Sequence, residues 1–132
     1  MTRTNLDHQI QNLKNEVLLL GSMVEQAMLT AVDALKRRDV ETSRKIYTDD
    51  RLINEKRYAI ENALIILMST QSPMARDLRL MAAFLEVTTE LERMGDYAKG
   101  IAKVSMHLGE HPVSTGMREF STMTELSVGM LH

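Results

Sequence analysis

From Leu6 the apolar positions recur at Ile10, Leu13, Val17, Leu20, Val24, Met28, Ala31 and Leu35, in steps of three and four. That spacing keeps one face of an α-helix apolar and predicts a long amphipathic first helix. Arg37 and Arg38 fall in its last turn, where positive charge meets the negative end of the helix dipole, and Asp39 is placed to cap the helix that follows. A second helix, Val40 to about Ser69, carries the stripe Ser43, Ile46, Asp50, Ile53, Arg57, Ile60, Leu64, Leu67. The rhythm is the same, yet it places Asp50 and Arg57 among apolar residues, where polar groups need partners. In "TQSPMARDLR" the pattern restarts, with Ser72 as the expected N-cap, Pro73 at the first helical position and Asp77 near the positive end of the dipole. The third stripe reads Leu80, Phe84, Val87, Leu91, Met94, Ala98, Ile101, Ser105, Leu108, and the helix is expected to stop before the stretch from Gly109 to Pro112.

Each helix holds about 30 residues, or ~45 Å at the α-helical rise. Three such rods joined by short turns predict an all-α fold, a long antiparallel three-helix bundle over residues 5–111. A linker, 112–116, then leads to a short fourth helix, 117–132, with Met117, Phe120, Met123, Leu126 and Met130 on one face. This segment stops at His132 with its apolar face barely begun. It reads as a piece of a longer chain or as a helix completed by a second copy, and a homodimer is expected through it.

Composition narrows the function. The 132 residues carry a net charge of -2, with basic residues scattered rather than striped, so the electrostatic footprint of a nucleic-acid binder is missing. There is no cysteine, which removes thiolate metal sites and cysteine nucleophiles and fits a cytoplasmic setting. The longest apolar run, Val17 to Val24, is far shorter than the roughly 20 residues of a membrane span, and no secretory signal opens the chain. The eleven methionines read as adaptable core filler in helices, and no chemistry is assigned to them.

The candidate chemistry is carboxylate. Glu92 and Asp96 lie four apart on the third helix, beside its apolar stripe, where like charges repel unless something offsets them. Solvent and nearby cations such as Arg93 and Lys99 are one answer; a bound metal ion is the other. Helix 2 offers Asp50 and Asn54, also four apart, with Arg57 and Glu61 further on. If helices 2 and 3 pack antiparallel, these oxygens could meet at one hard cation. The competing arrangement is an internal ion pair of Asp50 with Arg57 or with a neighbouring helix. Glu86 and Glu90 read as a solvated pair near Arg93. His107 and His111 have a zinc-compatible spacing, but His111 precedes Pro112 and is expected to have left the helix. No glycine-rich phosphate loop or Ser-His constellation appears, so an enzyme has little to stand on.

Together, "IQNLKNEVLLLGSMVEQAMLTAVDALKRRD", "DDRLINEKRYAIENALIILMSTQSPMARDLR" and "TTELERMGDYAKGIA" resemble one repeat of the PhoU family of phosphate-uptake and phosphate-signalling regulators. The likeness covers about Leu6 to Leu108, and the tail from Met117 is similar to the opening of a second repeat. It implies a non-enzymatic cytoplasmic regulator that restrains phosphate import, near the inner face of the membrane. The implied partners are a phosphate-sensing histidine kinase and the phosphate ABC transporter. It also implies a metal ion, with iron, magnesium, manganese and zinc all open, at Glu92 and Asp96 and at Asp50 with Asn54. Where the family favours Asp, Asn54 brings an oxygen but no charge, which implies weaker or fewer metals. The alternative is a structural helical module without ligand.

Overall fold

The computed structural model describes residues 3–70 and 73–110. They form three α-helices, α1 (Arg3–Arg37), α2 (Val40–Thr70) and α3 (Ala75–Glu110), and no strand among the described residues. Helix α2 runs antiparallel to the other two, and α3 packs against both neighbours more extensively than they pack on each other. The expected fourth helix and linker, and His111, lie outside the described residues.

The α1 stripe is buried at every position read from the sequence, from Leu6 to Leu35, with Leu20, Val24, Met28 and Ala31 fully enclosed. By length and with a mean hydropathy of 1.4 over its most apolar window, α1 passes the ordinary test for a membrane-crossing helix. Part of that apolar surface is the spine of the bundle core, packed on Ile53, Ile60, Leu64, Leu67, Met81, Leu91 and Ala98 from the other helices, while Leu18, Leu19 and Leu29 are exposed.

The α1–α2 turn is built by two interlocking caps. Asp39 N–H donates to Ala34 C=O at 2.9 Å and Arg38 N–H to Leu35 C=O at 3.3 Å, closing α1 in a Schellman motif. This places Arg38 at φ 56°, left-handed backbone that favours glycine, so Arg38 lies outside α1 rather than in its last turn as expected. Asp39 then caps α2 as predicted: its carboxylate accepts from Thr42 N–H at 3.1 Å and from Thr42 Oγ1 at 2.6 Å. These bonds, led by the Thr42 hydroxyl, hold the Asp39 carboxyl below its ordinary pKa.

Helix α3 starts two residues later than the Pro73 expected from the sequence. Met74 is the N-cap, its C=O accepting from Leu78 N–H at 3.0 Å, and the Asp77 carboxylate reaches back to accept from Met74 N–H at 3.2 Å. A side chain of the first turn returning to the cap amide is a stronger local signal than proline's tolerance there. The helix also runs through Gly109 to Glu110, past its expected end. A side chain at Gly109 would collide with Cγ2 of Val40, so the end of α3 lies tight against the start of α2.

The first half of the α3 stripe is turned by one residue. Leu80 and Val87, expected inside, are 43% and 47% exposed, while Met81 and Thr88 are enclosed. Thr88 was hard to see as a core residue because it is polar. Its Oγ1 donates to Phe84 C=O at 2.7 Å, which satisfies the hydroxyl within its own helix and lets the methyl face inward.

Candidate functional site

The expected site residues meet along the seam between α2 and α3. The register of that seam is fixed by Ser43 and Ser105, both buried, whose hydroxyls are hydrogen-bonded at 2.7 Å. Further along, Gly95 brings the α3 backbone against α2: a Cβ there would stand 3.3 Å from Ile53 Cγ2 and 3.9 Å from Asp50 Oδ1. The glycine inside "ERMGD" therefore lets Asp50 sit against the turn of α3 that carries Glu92 and Asp96.

Asp50 is 3% exposed and has two partners. Asn54, one turn on, donates its side-chain amide to Oδ2 at 3.0 Å, and the Lys99 ammonium, arriving from α3, stands 3.7 Å from the same oxygen. Lys99 is also held over the Tyr47 ring, 4.8 Å from its centroid. Burial pushes the Asp50 carboxyl above its ordinary pKa; Lys99 pulls it down, nearby Asp96 pushes it up, and the Asn54 bond pulls it down. Burial wins. The internal partner of Asp50 is thus Lys99, and the Arg57 pairing weighed from the sequence is not formed.

Arg57 serves a different pair of acids. Its Nη1 donates to Glu61 Oε2 at 3.0 Å within α2 and stands 3.6 Å from Glu92 Oε2 on α3. Its Nε is buried without a hydrogen-bond partner among the described residues. Glu92 is half-buried and Asp96 exposed, at the edge of the buried face as the spacing suggested. Glu86 and Glu90 are exposed, and Glu90 accepts from Arg93 at 3.1 Å. The outer side of the α2 half of the seam opens into a groove of about 860 Å³ lined by Tyr47, Asp50, Asn54, Arg57, Tyr58 and Lys99.

Sequence reasoning placed Asp50, Asn54, Glu92 and Asp96 near one another and named Lys99 as a counter-charge for Glu92 and Asp96, but missed that it serves Asp50 and lies over Tyr47. The available signal was register: once Ser43 faces Ser105, antiparallel packing sets Lys99 opposite the turn from Tyr47 to Asp50. A hard cation needs several oxygen ligands at about 2.0–2.6 Å. Among the described residues no three Asp, Glu, His or Cys side chains gather as such a set. Glu92 is turned to Arg57, and Asn54 presents Asp50 with its amide nitrogen. As arranged, these four residues do not fit a resident metal ion.

Residues 17–105 match the model of the PhoU domain. The chain belongs to the PhoU family. It is 33% identical over 98% of its length to a phosphate-specific transport system accessory protein PhoU homolog of Streptococcus pneumoniae, of which it covers 60%. It is 28% identical over 94% of its length to the accessory protein PhoU of Serratia marcescens, of which it covers 51%. Among solved structures, PhoU from Pseudomonas aeruginosa superimposes with a TM-score of 0.89 at 25% identity, over 95% of this chain and 60% of that one. The phosphate transport system regulatory protein PhoU from Streptococcus pneumoniae gives 0.83 at 32% identity, over 96% and 59%. The chain thus spans between half and three-fifths of the length of these relatives.

Proposed function

We propose that this chain is a regulatory repeat of the phosphate-import system, acting by contact between helix faces and partner proteins rather than by catalysis. The observation that carries the reading is the match to the PhoU domain over most of the bundle, together with relatives whose names place them in phosphate-specific transport. The surface suits contact. Leu18 on α1, Tyr58, Ile65 and Ile66 on α2 and Leu78 and Val87 on α3 are all large, apolar and exposed, which gives a partner something to bury. In this reading the protein works in the cytoplasm as a negative regulator, its partners are the phosphate ABC transporter and a phosphate-sensing histidine kinase, and residues 117–132 pair two copies into a homodimer. Metal at Asp50, Asn54, Glu92 and Asp96, which the family resemblance implies, would first require Arg57 and Lys99 to move aside.

The test is binding. Purified chain is mixed with membrane vesicles carrying the phosphate ABC transporter of the source cell, and with vesicles lacking it, and co-sedimentation is measured. Saturable binding confined to the transporter-bearing vesicles is expected. Equal binding to both, or none, would favour a structural helical module without this role.

A further inference from the structure

Helices α1 and α2 splay apart along one side of the bundle and leave a groove of about 690 Å³ that opens away from α3. Half-buried Met23, Ala27 and Ile46 and buried Ile53 line it, and Leu52 stands 45% exposed at its edge. The ion pair of Lys56 with Glu16 joins the two helices just beyond it. From Thr42 to Ile53 on α2 the groove runs ~16 Å at the helical rise. An apolar slot of this shape between two helices is a seat for a further amphipathic helix. Residues 117–132 carry such a face, with Phe120, Met123, Leu126 and Met130 three and four apart and ~15 Å from first to last in a helix. The face and the groove match in length.

We infer that the α1–α2 groove of each copy receives residues 117–132 of a second copy, so that the homodimer of the proposed function, on which this inference rests, forms by exchange of these segments. Position selects the occupant. Gly109, in the last turn of α3, lies against Val40 at the start of α2, so the chain leaves α3 at the end of the bundle where the groove begins at Thr42. The connection selects the copy. Residues 111–116 reach roughly 20 Å at full extension. Packed helix axes stand about 8–10 Å apart, so a helix seated on the far side of α1 and α2 lies roughly 16 Å from the axis of α3. The α1–α2 turn at Arg37–Asp39 stands at that same end, in the direct path. A short connection drawn near its limit favours insertion into a second molecule, where that span is not imposed.

The native chain has no cysteine, so engineered disulfides report the seating directly on the full chain. Met123→Cys is combined in turn with Gln26→Cys and with Leu52→Cys, oxidised with glutathione at low protein concentration and run on a denaturing, non-reducing gel. A covalent dimer is expected as the main product of at least one pair. Met123→Cys with Leu80→Cys, whose second cysteine lies on the α1–α3 side, should give little. In light scattering, Leu52→Asp should raise the dimer dissociation constant at least roughly tenfold, the scale of one leucine side chain returned to water, and Leu80→Asp should leave it within about twofold. Circular dichroism checks the fold, and Ser22→Arg at the exposed edge of the groove replaces Leu52→Asp if helicity falls. A wild type that stays monomeric removes the homodimer reading and this inference with it. A dimer in which neither groove pair forms a disulfide overturns the groove as the seat and leaves the homodimer standing. A disulfide closed within one chain overturns the exchange in favour of docking on the chain's own groove, and equal effects of Leu52→Asp and Leu80→Asp overturn the site.

Discussion

The Ser43–Ser105 bond sets the register of the α2–α3 seam, and its worth can be worked out from the structure. Both side chains are essentially enclosed, at 0% and 2% exposure, and their oxygens are 2.7 Å apart. Ser43 Oγ also lies 3.0 Å from Asp39 C=O in the first turn of α2. A net hydrogen bond is worth about 1 kcal/mol, and a buried hydroxyl left without a partner costs about 2 kcal/mol. Replacing serine by alanine inside a helix returns roughly 0.5 kcal/mol of intrinsic propensity. Ser105→Ala leaves the Ser43 hydroxyl its carbonyl acceptor, so the loss should be only ~0.5 kcal/mol. Ser43→Ala strands Ser105 and should cost ~1.5 kcal/mol. The double substitution removes both polar groups and should leave stability within about 1 kcal/mol of wild type. The double variant is therefore less destabilised than the sum of the singles, by roughly 1–3 kcal/mol. Urea unfolding of the four proteins, followed by circular dichroism, measures the cycle. Singles that simply add would show that the hydroxyls do not act as a pair and that the register is set by apolar packing alone.

Three shorter expectations concern the turn, the buried acid and the tight helix end. Arg38→Gly relieves a left-handed residue at the α1 cap and should stabilise by roughly 1 kcal/mol, raising the melting temperature by about 4 °C or more; an unchanged or lower midpoint would contradict the cap geometry. Asp50 has a folded pKa above its ordinary 3.8, so its native carboxyl holds a proton more tightly than the unfolded chain does. Its contribution to stability is present at and below that ordinary value and is lost as pH rises through the raised native value. Asp50→Asn should therefore gain on wild type between acid and neutral pH in urea titrations, and a difference independent of pH would refute the sign. Gly109→Ala drives a methyl into Val40 and should lower the melting temperature, whereas Gly100→Ala, with open space around it, should raise it.

The bundle was legible because its signal is one-dimensional. Every α1 stripe position read from spacing is buried, as are Ser43, Asp50, Ile53, Ile60, Leu64 and Leu67 on α2. The α3 stripe was displaced in its first half for a reason that periodicity does not carry. Leu80 looks like core by type and Thr88 does not, but a threonine bonded to the carbonyl one turn back is inexpensive to bury, and the helix turns accordingly. The ends of α3 depended on long-range or reciprocal contacts, the Asp77 bond to Met74 and the Gly109 approach to Val40, which spacing does not record. At the seam, the four candidate oxygen donors were found from their i, i+4 spacing. Their partners were not, because choosing Lys99 for Asp50 and Arg57 for Glu92 requires the facing of two helices, which spacing along one helix does not record.

The most direct measurement is phosphate uptake by the source cell's phosphate ABC transporter, reconstituted in proteoliposomes with ATP and assayed with increasing amounts of this chain. The account predicts a saturable fall in uptake rate, with a transporter of unrelated substrate unaffected. Phosphate uptake that stays constant at saturating chain, or an equal fall for the unrelated transporter, would contradict it.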